Sequence, residues 1–65
     1  MKIETEREDD GRWIAEVPDL PGVLVYGADE ADARRKAEAL ALRVIADRLD
    51  NGERAPELDA LFIAA

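Results

Sequence analysis

Three of the usual reactive side chains are missing from this chain of 65 residues: it has no cysteine, no histidine and no serine. Without cysteine there is neither a disulfide framework nor a thiolate zinc site. Without histidine the commonest general base and the commonest transition-metal ligand are absent. Thr5 and Tyr26 carry the only side-chain hydroxyls, so Ser/His/Asp triads and Cys/His dyads are excluded by inventory. No apolar run approaches the ~20 residues of a membrane span, and no signal-like segment follows Met1, so a cytoplasmic protein with no membrane association is expected.

What is abundant is negative charge. Nine basic against sixteen acidic residues give a net charge of −7. Phosphate contacts normally need a basic surface, so direct DNA binding by this chain is not expected. Such a charge keeps a small domain in solution, and it also attracts a basic partner protein, such as one that handles RNA. At this length a chain buries only about 60% of its unfolded surface, and oligomerisation is a common remedy.

Met1 to Glu8 alternates, with Met1, Ile3 and Thr5 on one side and Lys2, Glu4, Glu6 and Glu8 on the other, which predicts a strand with one wet face. Asp9-Asp10-Gly11 is a turn signal. Arg12 to Val17 resumes the alternation, so the first two strands read as a hairpin. Pro18 and Pro21 cannot donate to a ladder and end the second strand. Val23-Leu24-Val25-Tyr26 reads as a third strand, closed by Gly27-Ala28. Asp29 is a good helix N-cap, with Asp32 three residues on as a weak capping box. The stripe Ala33, Ala37, Leu40, Ala41, Val44, Ile45 and Arg48 or Leu49 predicts a helix to about Asp50, with Glu30–Arg34 and Asp32–Lys36 as favourable pairs. Asn51-Gly52 is its stop. After a polar connection holding Pro56, Leu61-Phe62-Ile63 reads as a short final strand. The fold class is α+β, a single ββ-β-α-β domain with a three-stranded antiparallel meander, one helix and that last strand.

A single helix covers one face of a sheet. The third strand is apolar on both faces, and the second sets Ile14 opposite Trp13. Whichever side meets the helix, two apolar residues of the third strand stay on the other, and an apolar patch of this kind marks an interface. A homodimer is the first expectation from this patch and partner binding the second. The side chains expected to touch a partner are Ile14, Glu16, Glu4 and Glu6, with Asp19 and Leu20 as exposed positions of the proline turn.

Nothing else points to chemistry. Glu4, Glu6 and Glu8 form a row that could hold Mg²⁺, but a charged alternate face is what any half-solvated strand shows. Asp9-Asp10-Gly11 lacks calcium-loop spacing, and Gly22 and Gly27 do not form a phosphate-binding loop. Arg34-Arg35-Lys36 is too short for a phosphate patch and shares its helix with Glu30, Asp32 and Glu38. Trp13 shares a face with Ala15 and Val17, which suits a core position better than a base-stacking one. No catalytic, cofactor or metal residue is assigned, and the chain is not expected to be an enzyme.

The run Trp13, Ala15, Pro18, Asp19, Leu20, Pro21, Gly22, then Gly27, Asp29, Ala33 and Ala37, resembles the HicB-like antitoxin family over about residues 2–52. The Pro-Asp-Leu-Pro-Gly turn at its distance from the helix cap is the more specific part. Asp29 stands where the family usually has Ser or Thr. The resemblance implies a partial ribonuclease-H-like fold and a partner, a small HicA-like mRNA-cleaving toxin whose active site the module blocks. It also implies dimers or tetramers. Full antitoxins of that family usually carry a C-terminal DNA-binding domain; residues 1–65 are read as the module without it, so operator binding is not carried over. Two rivals accompany this reading. One is an orphan homo-oligomeric domain without a toxin; the other is a metal-dependent nuclease using Glu4, Glu6 and Glu38. A small-ligand sensor is a poorer third, since one helix on a sheet leaves little room for a pocket.

Overall fold

The computed structural model describes residues 1–53. The expected final strand at Leu61-Phe62-Ile63 and the connection holding Pro56 lie outside the described residues. Within them the chain forms β1 (Glu4–Arg7), β2 (Trp13–Glu16), β3 (Leu24–Gly27) and α1 (Glu30–Asp50), an α+β fold. The sheet is an antiparallel meander in the order β1-β2-β3. No helix among the described residues is long and apolar enough to cross a membrane.

β1 and β2 are shorter than the alternation predicts, because turn bonds take over at their ends, and β3 is shifted by one residue so that Gly27 lies in the strand instead of closing it. Glu8 N–H donates to the Arg12 carbonyl at 2.7 Å, and Gly11 N–H to the Glu8 carbonyl at 3.0 Å. Asp9-Asp10-Gly11 is thus a three-residue hairpin loop with its glycine in the left-handed position. Asp10 Oδ1 accepts from Arg12 N–H at 3.0 Å and Oδ2 from Arg12 Nε at 2.7 Å, which ties the loop to the start of β2.

Two β-turns follow β2 back to back. Leu20 N–H donates to the Val17 carbonyl at 2.9 Å, and Val23 N–H to the Leu20 carbonyl at 3.1 Å. Each turn has a proline in its second position, where a fixed φ near −65° is already correct. The second turn needs a positive φ in its third position, and Gly22 supplies it at +89°. Leu20 is the residue shared by the two turns, and it is fully buried. This corrects the expectation that Leu20 is an exposed partner contact: the paired turns direct it into the core, and only Asp19 of that pair stays exposed.

The helix begins where Asp29 Oδ1 accepts from Asp32 N–H at 2.7 Å. The return bond of the expected capping box lands one residue further out, with Ala28 N–H donating to Asp32 Oδ2 at 2.9 Å. It ends in a Schellman arrangement: Gly52 N–H donates to the Leu49 carbonyl at 3.0 Å and Glu53 N–H to the Arg48 carbonyl at 2.8 Å. Between these ends Ala33, Ala37, Ala41 and Ile45 are buried, with Leu40 and Val44 half-buried beside them. Three alanines in this stripe let the helix axis lie close to the sheet. Their partners in the core are Ala15, Val17, Leu20 and Val23, flanked by Ile3, Trp13 and Val25. The approach is tightest at the N-terminal end. A Cβ on Gly27 would sit 2.6 Å from the Ala33 Cα and closer still to its backbone nitrogen.

Candidate interaction surface

Strand register decides which side chains share the face opposite the helix. Glu4 pairs with Glu16, and Glu16 with Leu24; Glu6 pairs with Ile14, and Ile14 with Tyr26. Paired residues point to the same side of an antiparallel sheet, so these six form two rows across one face. The intervening rows, Thr5-Ala15-Val25 and Arg7-Trp13-Gly27, point to the helix. Four of the positions singled out from sequence, Glu4, Glu6, Ile14 and Glu16, are therefore brought together. Asp19 sits apart from them in the first proline turn, and Leu20 is in the core.

Leu24 and Tyr26 join this face and are 47% and 44% exposed, while Ile14, between Glu6 and Tyr26, is half-buried. The alternation places two residues of β3 outward but does not say which two; the register selects Leu24 and Tyr26. Arg12 completes the patch. Its guanidinium carbon lies 4.5 Å from the centroid of the Tyr26 ring, a cation–π stack held from the other side by the Asp10 carboxylate. The Asp10 carboxyl is lowered from its ordinary range by the Arg12 amide and guanidinium.

The electrostatics of the face are one-sided. Glu4 and Glu16 are direct cross-strand neighbours, an arrangement in which like charges repel. Lys2 Nζ approaches Glu4 Oε1 only to 3.7 Å, with both side chains well exposed. Among the described residues no three carboxylates converge on a point that would hold a metal ion; the glutamates are spread along the strands.

At the edge of β3 a shallow depression of about 360 Å³ is lined by Arg12, Tyr26, Gly27, Ala28, Asp32 and Lys36. Its charges are satisfied internally. Asp32 meets Arg35 at 2.9 Å and Lys36 at 3.1 Å, and Lys36 also reaches the Tyr26 carbonyl at 3.4 Å. The Ala28 amide first, then Lys36 and Arg35, hold the Asp32 carboxyl down to about 2. Of the two pairs the sequence suggests, Asp32–Lys36 forms, whereas Glu30 accepts from Thr5 Oγ1 at 3.0 Å. That bond joins the first turn of the helix to β1.

A second exposed apolar feature lies on the outer side of α1. Leu42 and Leu49, one heptad apart, are 58% and 45% exposed. The helical spacing leaves Arg48 or Leu49 as the end of the core stripe. In the structure Arg48 is the half-buried member of that pair of alternatives.

Compared with family models, with characterised proteins and with solved structures, the chain matches none.

Proposed function

We propose that this chain is a HicB-like antitoxin module that acts by protein–protein occlusion, binding a small basic HicA-like toxin and covering its mRNA-cleaving site. The observation that carries the proposal is the sheet face opposite the helix, where Ile14, Leu24 and Tyr26 form an apolar patch bordered by Glu4, Glu6 and Glu16. Apolar residues at the centre with charge at the border is the layout of an interface, and an acidic border suits a partner built to hold RNA. The resemblance in the Pro-Asp-Leu-Pro-Gly turn and the helix start supports the family, and with it a partial ribonuclease-H-like fold. The residues of that resemblance have structural work in this chain. Pro18, Pro21 and Gly22 make the paired turns, Leu20 fills the core, and Gly27 admits the helix.

Co-expression with the product of the neighbouring gene tests the proposal. A stable complex on co-purification, with growth restored when that gene is induced, is the expected result. A second reading, an orphan homo-oligomer, is favoured by Leu42 and Leu49 on the outside of the helix. Light scattering separates the two: a dimer or tetramer with no neighbour-encoded partner selects the orphan.

A further inference from the structure

We propose that the sheet face left open among the described residues takes a cationic amphipathic segment of a different protein and does not serve for self-association. The inference rests on the interaction-module reading and specifies the chemistry of its partner. The apolar side chains of that segment would lie on Ile14, Leu24 and Tyr26, with Lys or Arg groups set over the Glu4–Glu16 pair and over Glu6.

Three observations lead there. First, Glu4 and Glu16 face each other across β1 and β2, so the free protein holds a repulsion that an incoming cation relieves. Second, among the described residues the positive charges near this face are fewer than its carboxylates: Arg12 is held by Asp10 and stacked on Tyr26, and Lys2 reaches only to 3.7 Å from Glu4. The field offered to a partner is therefore that of the carboxylates. Third, a second copy packed face to face about a two-fold axis would put both copies' Glu4, Glu6 and Glu16 into one interface. Like charges so placed are selected against in specific interfaces. Tyr26, held in place by Arg12, is a suitable anchor, since pre-ordered aromatic residues dominate interface energetics.

The test uses the full chain labelled with ¹⁵N, titrated with a short synthetic peptide of alternating Lys and Leu. The expected result is that amide shifts concentrate at Glu4, Glu6, Ile14, Glu16, Leu24 and Tyr26. The affinity should fall about tenfold in the Glu4→Gln/Glu16→Gln variant and with added salt, while Leu42→Ser leaves it unchanged. The double variant removes a repulsion and should fold, which circular dichroism verifies. Shifts centred on Leu42 and Leu49, or unchanged affinity in the double variant, would overturn the proposal. So would concentration-dependent broadening confined to this face without peptide, which reports a second copy. Contacts from Phe62 to Tyr26 would overturn it too, by placing the chain's own residues there. A neighbour-encoded complex that persists in the Glu4→Gln/Glu16→Gln and Leu24→Ser variants would sink this surface and leave the antitoxin reading standing. Peptide binding at this face with no neighbour-encoded complex would do the reverse.

Discussion

The two faces of the sheet are made from alternate residues of the same short strands, yet they carry opposite physics. On the helix side, Ala15, Val17 and Val23 are buried against Ala33, Ala37, Ala41 and Ile45, with Leu20 closing one end. On the other side, Leu24 and Tyr26 stay nearly half exposed among glutamates. Side chains of similar hydrophobicity thus have different tasks, set by a neighbour and not by their own chemistry. A core so rich in alanine is thin, and its largest fully buried side chains are Leu20 and Val17. Stability should therefore concentrate at a few positions of the covered face, and partner affinity at a few of the open one.

Leu20→Ala is the strongest way to probe that division. Truncating a fully buried leucine costs about 3 kcal/mol. Domains of this size have about 3–10 kcal/mol of total stability, so the variant should be largely unfolded in mild urea. A midpoint close to the parent's would show that the turn, and not the core, holds Leu20. Gly27→Ala comes next, at about 2 kcal/mol, because the added methyl meets backbone atoms of Ala33 that move only with the whole helix. Its urea midpoint should drop, whereas Gly11→Ala, with open space around its Cβ, carries only the strain of a positive φ.

A smaller effect should appear with acid. The Asp32 carboxyl is lowered from 3.8 to about 2 in the folded chain. Its contribution is therefore complete above pH 3.8 and is lost as the pH falls through about 2. Asp32→Asn should flatten the stability curve in that window and leave its shape near neutrality unchanged; an unaltered acid limb would refute the assignment. Smallest of all is Leu24→Ser. On the open face it should change stability by less than about 0.5 kcal/mol while weakening partner capture. A loss of stability as large as that of Leu20→Ala would mean the two faces are not divided as described.

Local chemistry accounts for the parts of this fold that were legible beforehand. Asp29 as N-cap, Asn51-Gly52 as the stop and the Asp32–Lys36 pair are all bonds within one helical turn. Period-two alternation likewise puts Glu4 with Glu6 on one face of β1 and Ile14 with Glu16 on one face of β2, and the register joins the two pairs. Leu20 departs from the rule that turn residues lie at the surface. Both turns lie within Val17–Val23, but the core that Leu20 enters is completed by helix residues further along the chain. The expected Glu30–Arg34 pair gave way to a bond from Thr5, twenty-five residues away, for the same reason.

Within residues 1–53 the sequence by itself determined the three strands, the helix and its caps, and it excluded histidine, cysteine and serine chemistry, since these depend on residue identity and near neighbours. It also required that β3 leave two apolar residues uncovered by a single helix. Tertiary structure alone decided which two. Packing Ala33 onto Gly27 sets the helix on one side of the sheet, and that contact turns Val23 and Val25 inward and leaves Leu24 and Tyr26 outside among the glutamates.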